Sequence, residues 1–293
     1  SDENLTQPMQ GISCGFVSDM LDTSQLLLIE LGNLNMHADN FLPVPGKVDI
    51  FRSVFNSASS PMCTSSSSHD ARKKTMSPIV TGTSVLAIRF DGGVAIAADM
   101  LGSYGSLAKY TRLSRMTEVN PKTVVAASGD YADYQQISEY LERMMIQNDI
   151  EDDGHGYTPQ SIFSFLRLLM YQKRSKFEPL WNTLVVGGYH NGSSFLGYVD
   201  KLGVAYEDNT IATGYGAYIA RPLMTKALES NPNMSKAEAV KLLIDCLKVL
   251  FYRDARSHNR FEISIITEEG VTMESNMSFE TNWEIAHLVK GYE

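Results

Sequence analysis

Two short apolar runs on either side of a tight turn constrain this chain more than any other feature. Ser84-Val-Leu-Ala-Ile-Arg-Phe90 and Val94-Ala-Ile-Ala-Ala98 flank Asp91-Gly92-Gly93. An Asp-Gly pair readily takes the positive φ angles of a two-residue hairpin turn. Runs so nearly free of polar residues cannot leave one face in water. The spacing therefore predicts a β-hairpin whose two strands are both largely buried. The 293 residues of the chain are enough to bury such a hairpin in one large core.

The rest of the pattern supplies the cover. Thr123-Val-Val-Ala-Ala-Ser128 is another short apolar strand. Asp130 can cap a helix whose stripe is Tyr134, Ile137, Leu141 and Met144 or Met145. Thr158 caps a second helix, with Pro159 in its first turn and a stripe of Ile162, Phe165, Leu166, Leu169 and Met170. Strands return in Thr183–Gly188 and Ser194–Val199, joined at the turn His190-Asn191-Gly192. A third helix is expected over about 217–229. A fourth opens on the capping box Ser235 and Glu238 and carries Leu242, Leu243, Cys246, Leu247, Leu250 and Phe251. Phe261 to Thr267 alternates as a closing strand. Strands, two helices, strands, two helices, strand: blocks in this order predict an α+β fold, two antiparallel sheets face to face with helices outside.

Charge and composition narrow the function. Asp and Glu number 34 against 25 Lys and Arg, a net charge of −9, which repels a phosphate backbone and argues against nucleic-acid binding. The richest apolar run, Leu26 to Ile29, is closed at once by Glu30, far short of a membrane span of about 18 residues. The first residues, Ser1-Asp2-Glu3-Asn4, lack the basic-then-apolar order of a secretory signal. Cys14, Cys63 and Cys246 are widely separated, with no zinc-binding spacing. A reduced intracellular compartment fits them, and Cys246 reads as a small core residue. Residues 1–74 are Ser-rich and nearly aperiodic and end in Arg72-Lys73-Lys74. They read as a low-complexity leader, mostly without structure and removable, with the basic cluster a solvated patch.

Most chemical candidates are bland. Gly214-Tyr-Gly216 is a fragment of a phosphate loop and no more. His155, His190 and His258 sit in polar turns and are expected to be exposed. Glu151-Asp152-Asp153 lacks metal-loop spacing. No metal and no cofactor is expected. One constellation stands apart: Gly82-Thr83 opens the first strand of the hairpin, and Ala97-Ala98-Asp99 ends the second. The hairpin should return Asp99 to within hydrogen-bond reach of Thr83. Arg115, the turn Ser128-Gly129-Asp130 and Tyr252-Arg-Asp-Ala-Arg-Ser257 follow.

In these segments, Thr83 to Asp130 and Tyr252 to Ser257, the chain resembles the β-type subunits of the eukaryotic 20S proteasome, which share the N-terminal-nucleophile hydrolase fold. Pro78-Ile-Val-Thr-Gly-Thr-Ser-Val, Ala98-Asp-Met-Leu-Gly-Ser-Tyr-Gly-Ser and Arg174-Ser-Lys-Phe-Glu-Pro-Leu-Trp-Asn look like those of a non-catalytic branch. The resemblance covers residues 75–293 and leaves 1–74 outside. It implies a four-layer αββα sandwich and assembly with other α- and β-type subunits. The expected particle has 28 subunits in stacked seven-membered rings, acting in cytoplasm and nucleus in ATP- and ubiquitin-dependent protein degradation.

Catalytic relatives use a threonine hydroxyl as nucleophile, its own freed α-amine as base and a lysine that tunes the proton transfers. A neutral hydroxyl needs such a base beside it, and an α-amine titrating near about 8 suits the task. By the resemblance, Thr83 matches the nucleophile, Gly82 the glycine before the self-cleaved bond, and Asp99 the carboxylate paired with the lysine. Gly129 matches the glycine whose N–H stabilises the oxyanion. Asp254 and Ser257 match the groups that orient the amine. Two positions depart: Arg115 stands in the lysine's place and Tyr215 in that of a serine between two glycines.

A guanidinium stays charged far above neutral pH and cannot exchange a proton there. Arg115 is expected to pair with Asp99 and fill the space beside Thr83. The Gly82–Thr83 bond should then stay uncut, and Thr83, Asp99, Arg115, Gly129, Tyr215, Asp254 and Ser257 form a vestigial site. Trimming by a neighbour is expected at Lys74–Thr75. The tail 282–293, with Trp283, His287 and Tyr292, is expected to reach another subunit; its alternative is to fold on its own domain. Two readings compete with a structural subunit: an active threonine endopeptidase matured at Gly82–Thr83, and an assembly factor that leaves the finished particle.

Overall fold

Strand β1 (Val80–Gly82) runs directly into Thr83, and the hairpin follows as β2 (Val85–Phe90) and β3 (Gly93–Asp99). The computed structural model describes residues 78–284 and residue 287, all within the compact unit Ser65–Glu293. Lys74, Thr75, Tyr292 and the leader lie outside the described residues.

The hairpin is buried on both faces. Val85 and Ala87 of β2 with Val94, Ile96 and Ala98 of β3 pack toward a second sheet, against Val124, Ala126, Val185 and Leu196. Leu86, Ile88, Ala95 and Ala97, on the opposite pleat, pack against Met224, Leu243, Cys246 and Leu250. Period-2 alternation thus divides one apolar run between two cores.

Four more strands, β4 (Gly102–Tyr104), β5 (Leu107–Tyr110), β6 (Met116–Asn120) and β7 (Thr123–Asp130), precede the first two helices. Helix α1 (Tyr131–Glu151) is capped by Asp130, whose carboxylate accepts the Asp133 N–H, and buries Tyr134, Ile137, Leu141 and Met144. Helix α2 (Pro159–Ser175) is capped by Thr158 and buries its expected stripe. Then come β8 (Asn182–His190), β9 (Ser193–Val199), β10 (Ala205–Glu207) and β11 (Thr210–Ala212), followed by helices α3 (Gly216–Ser230) and α4 (Lys236–Arg253). Both halves of the Ser235–Glu238 capping box form at the start of α4. The chain closes with β12 (Arg260–Thr267) and β13 (Gly270–Ser278).

Two antiparallel sheets result. The larger runs β10-β9-β8-β7-β1-β4-β5, with β6 also paired to β7; the smaller runs β11-β2-β3-β12-β13. Helices α1 and α2 contact the larger sheet and α3 and α4 the smaller, while β2 and β3 meet β8 and β9 between the sheets. This is the expected α+β class.

Several elements were not legible beforehand. β1, β4, β10 and β11 are three residues each, too short to display a period. β13 is nine residues long but mostly exposed at a sheet edge, so it lacks an apolar face. Phe261–Thr267 does not close the fold; β13 pairs beyond it. Leu242 and Phe251 are half-buried rather than core. His155 is exposed, but His190 and His258 are half-buried. His258 Nδ1 accepts the Arg260 N–H at 3.0 Å, which draws the ring inward.

Candidate functional site

Thr83 sits at the seam of the two sheets, between β1 in one and β2 in the other. β1 is held between β4 and β7, with Thr81 opposite Ser103 on one side and Gly82 opposite Gly129 on the other. Past Thr83, the Val85 N–H donates to Thr213 Oγ1 at 2.8 Å. Ser84 Oγ accepts the Gly216 N–H at 2.8 Å, which ties the start of α3, and with it Tyr215, to the same seam.

Arg115 fills the interior of this seam. Its side chain is 2% exposed, and all five of its N–H donors are used. Nε donates to the Asp99 carbonyl at 3.1 Å. Nη1 donates to the carbonyls of Thr83 at 2.9 Å and Ala127 at 3.0 Å. Nη2 donates to the Ser84 carbonyl at 2.9 Å and to Asp99 Oδ1 in a close ion pair. The guanidinium therefore joins β3, β7, the Thr83–Ser84 step and the buried carboxylate. A lysine has three donors and could not hold this set.

Gly82 makes room for that side chain: a Cβ there would lie 2.3 Å from Arg115 Cδ. Gly129 is a glycine for two reasons. Its φ is +97°, and a Cβ would come within 2.0 Å of the Trp181 carbonyl oxygen.

The expected ion pair between Arg115 and Asp99 is present, but Asp99 does not meet the Thr83 hydroxyl. Thr83 Oγ1 donates instead to Asp254 Oδ2 at 2.5 Å. Asp254 is buried just past the end of α4, and its Oδ1 accepts the Arg256 N–H at 2.9 Å. Register explains the difference: Val85 pairs with Ala98, so Thr83 and Asp99 diverge beyond the end of the hairpin, and Arg115 occupies the gap. Asp99 Oδ2 is buried with no hydrogen-bond partner among the described residues. Burial outweighs the attraction of Arg115 and pushes the Asp99 carboxyl up to about 6.

Glu262 was not foreseen. Its Oε1 accepts the Arg115 N–H at 2.8 Å and its Oε2 accepts the Ser114 hydroxyl at 2.9 Å, clamping the segment just before β6 that delivers the guanidinium. Burial raises its carboxyl above the usual range. The available signal was a carboxylate in the middle of the apolar run Phe261-Glu-Ile-Ser-Ile, a position that burial forbids without partners.

Tyr215 is 62% exposed and, with Thr81, Gly82, Thr83, Arg253 and Arg256, lines an open recess of about 330 Å³. The Ser257 N–H donates to the Asp254 carbonyl at 3.2 Å, closing the turn after α4. Among the described residues no three His, Cys, Asp or Glu side chains are grouped to hold a metal ion. Of the tail residues, Trp283 stands edge-on to Tyr252 and Phe251 of its own chain, with ring centroids 5.0 and 6.0 Å away, yet remains 53% exposed. His287 is exposed.

Chemically, the arrangement can polarise the Thr83 hydroxyl toward Asp254, and the cation beside it is a guanidinium, which releases no proton at neutral pH.

A family profile described as proteasome subunit matches residues 79–266. The chain is 58% identical over 221 residues to proteasome subunit beta type-4 of Xenopus laevis, covering 75% of this chain and 91% of that one. Over 240 residues it is 44% identical to the beta type-4 subunit of Dictyostelium discoideum, covering 82% and 91%. Proteasome subunit beta type-7 of Saccharomyces cerevisiae is 42% identical over 228 residues, covering 74% and 86%.

Proposed function

The chain belongs to the proteasome subunit family, and from that membership we propose that it is a non-catalytic structural β-type subunit of the 20S core. In this reading it builds the wall of the β-ring and hydrolyses no peptide. It assembles with other α- and β-type subunits into a 28-subunit particle of stacked seven-membered rings, in cytoplasm and nucleus, and supports ATP- and ubiquitin-dependent degradation. The helix and sheet contacts support a four-layer αββα order, two helices on each outer face.

One observation carries the proposal: Arg115 uses all five donors, four of them on backbone carbonyls. A group so fully engaged, and unable to release a proton at neutral pH, cannot take part in acid–base exchange at Thr83. Without that exchange the Gly82–Thr83 bond stays intact, Thr83 acquires no free α-amine, and the hydroxyl has no competent base. Loss of a general base alone costs about 10²–10⁴-fold in rate. Removal of the leader near Lys74–Thr75 and contact of the tail with another subunit belong to the same reading.

The 2.5 Å bond from Thr83 to Asp254 favours a second reading, an active threonine endopeptidase matured at Gly82–Thr83. Intact mass of the chain, taken from particles saturated with a covalent threonine-directed inhibitor, separates the two. A structural subunit shows no adduct and an N-terminus upstream of Thr83. An adduct, or an N-terminus at Thr83, would refute the proposal.

A further inference from the structure

Helix α2 ends in a way its own sequence should resist. The Glu178 N–H donates to the Lys173 carbonyl at 3.0 Å and the Phe177 N–H to the Arg174 carbonyl at 3.1 Å. This is a Schellman ending, in which the residue after the cap takes the left-handed conformation usually given to glycine. Here that residue is Phe177, with φ +56°. A side chain with a Cβ is unfavourable there, and the ring gains nothing from burial, since Phe177 is 87% exposed. The isolated chain is penalised twice for this phenylalanine.

The ring is not solitary. On one side of it in the chain, Tyr171 is half exposed and its backbone lies against Gly203, where a Cβ would meet the Tyr171 Cβ at 2.7 Å. On the other side, Lys201 Nζ stands 3.9 Å over the Trp181 ring. Both contacts go to the turn between β9 and β10, so that turn brings exposed Leu202 and Val204 to the same end of the fold as Phe177. Exposed apolar side chains gathered in this way mark an interaction surface.

Charge indicates the partner. Lys173, Arg174 and Lys176 lie within four residues of Phe177 in the chain, and Lys201 lies in the turn that Tyr171 and Trp181 touch, against Glu178 and Asp200, on a chain whose net charge is −9. Partners of complementary potential are selected at such a rim.

We infer that Phe177 is the anchor of a subunit contact, inserted into an apolar depression with an acidic rim on a different subunit of the particle. The inference rests on the structural-subunit reading. Anchors of this kind are aromatic, buried at the centre of an interface and encircled by polar residues.

The test uses the full chain and turns on opposite signs. In Phe177→Gly the left-handed position suits its residue, so the thermal midpoint of the purified chain stays equal or rises. In competition with the unsubstituted chain, its incorporation into core particles falls at least fivefold. Phe177→Leu, which keeps an apolar group, recovers part of that loss, and Lys176→Glu with Lys201→Glu slows incorporation. Equal incorporation of Phe177→Gly and the unsubstituted chain overturns the assignment and leaves the structural-subunit reading intact. Failure of the unsubstituted chain to enter particles overturns that reading itself. Self-association of the free chain, abolished by Phe177→Gly while incorporation is unchanged, would assign the patch to a second copy and refute a different subunit as occupant.

Discussion

Asp99 and Arg115 form a buried ion pair at the seam beside Thr83. The pair stays because each partner would be costly alone: a buried guanidinium without its acceptors, or a buried carboxylate without its cation. The same burial gives Asp99 a measurable signature. Burial pushes its carboxyl up to about 6 in the fold, against an ordinary value near 3.8. An acid with a raised folded-state pKa binds its proton more tightly when folded. Its stabilising contribution is therefore complete below about pH 4 and is lost as pH rises through 6. That difference is worth on the order of a few kcal/mol. Urea midpoints from pH 4 to 7 should show Asp99→Asn losing less stability over this window than the unsubstituted chain, by about that amount. Parallel curves would contradict the assignment. Glu262 titrates in the same direction, but it is present in both chains and cancels.

At the scale of elements, local chemistry specified the helices well. Ser235 and Glu238 form the reciprocal capping box that their spacing announced. Ser235→Ala should cost about 1 kcal/mol, a thermal midpoint lower by roughly 2–4 °C for a domain of this size. No change would mean that packing of Leu243, Leu247 and Leu250 alone holds the helix start. The hairpin was equally legible, because burial on both faces leaves an unmistakable run of small and branched apolar residues. β1 was not legible: Val80-Thr-Gly82 has no period of its own and is a strand only because β4 and β7 leave a slot between them. Within the site, residue identities were legible and connectivity was not. The resemblance supplied the ion pair of Arg115 with Asp99 and a place for Asp254 beside residue 83, but not the bond from the Thr83 hydroxyl to Asp254, which spans 171 residues and depends on where α4 ends. Glu262 was missed because its partners are the backbone N–H of Arg115 and a serine hydroxyl, which no spacing rule links to it.

At the scale of the whole molecule, two surfaces bear on the proposed role. The recess beside Thr83 holds a polarised hydroxyl next to a guanidinium that releases no proton at neutral pH, and helix α2 ends on an exposed ring in a left-handed position. Both fit a subunit whose value lies in assembly. The decisive measurement is peptide turnover by particles in which the threonine nucleophile of every other β-type subunit has been replaced. The account predicts no turnover above that of particles in which Thr83→Ala has been added. Turnover that persists, and disappears on adding Thr83→Ala, would contradict it.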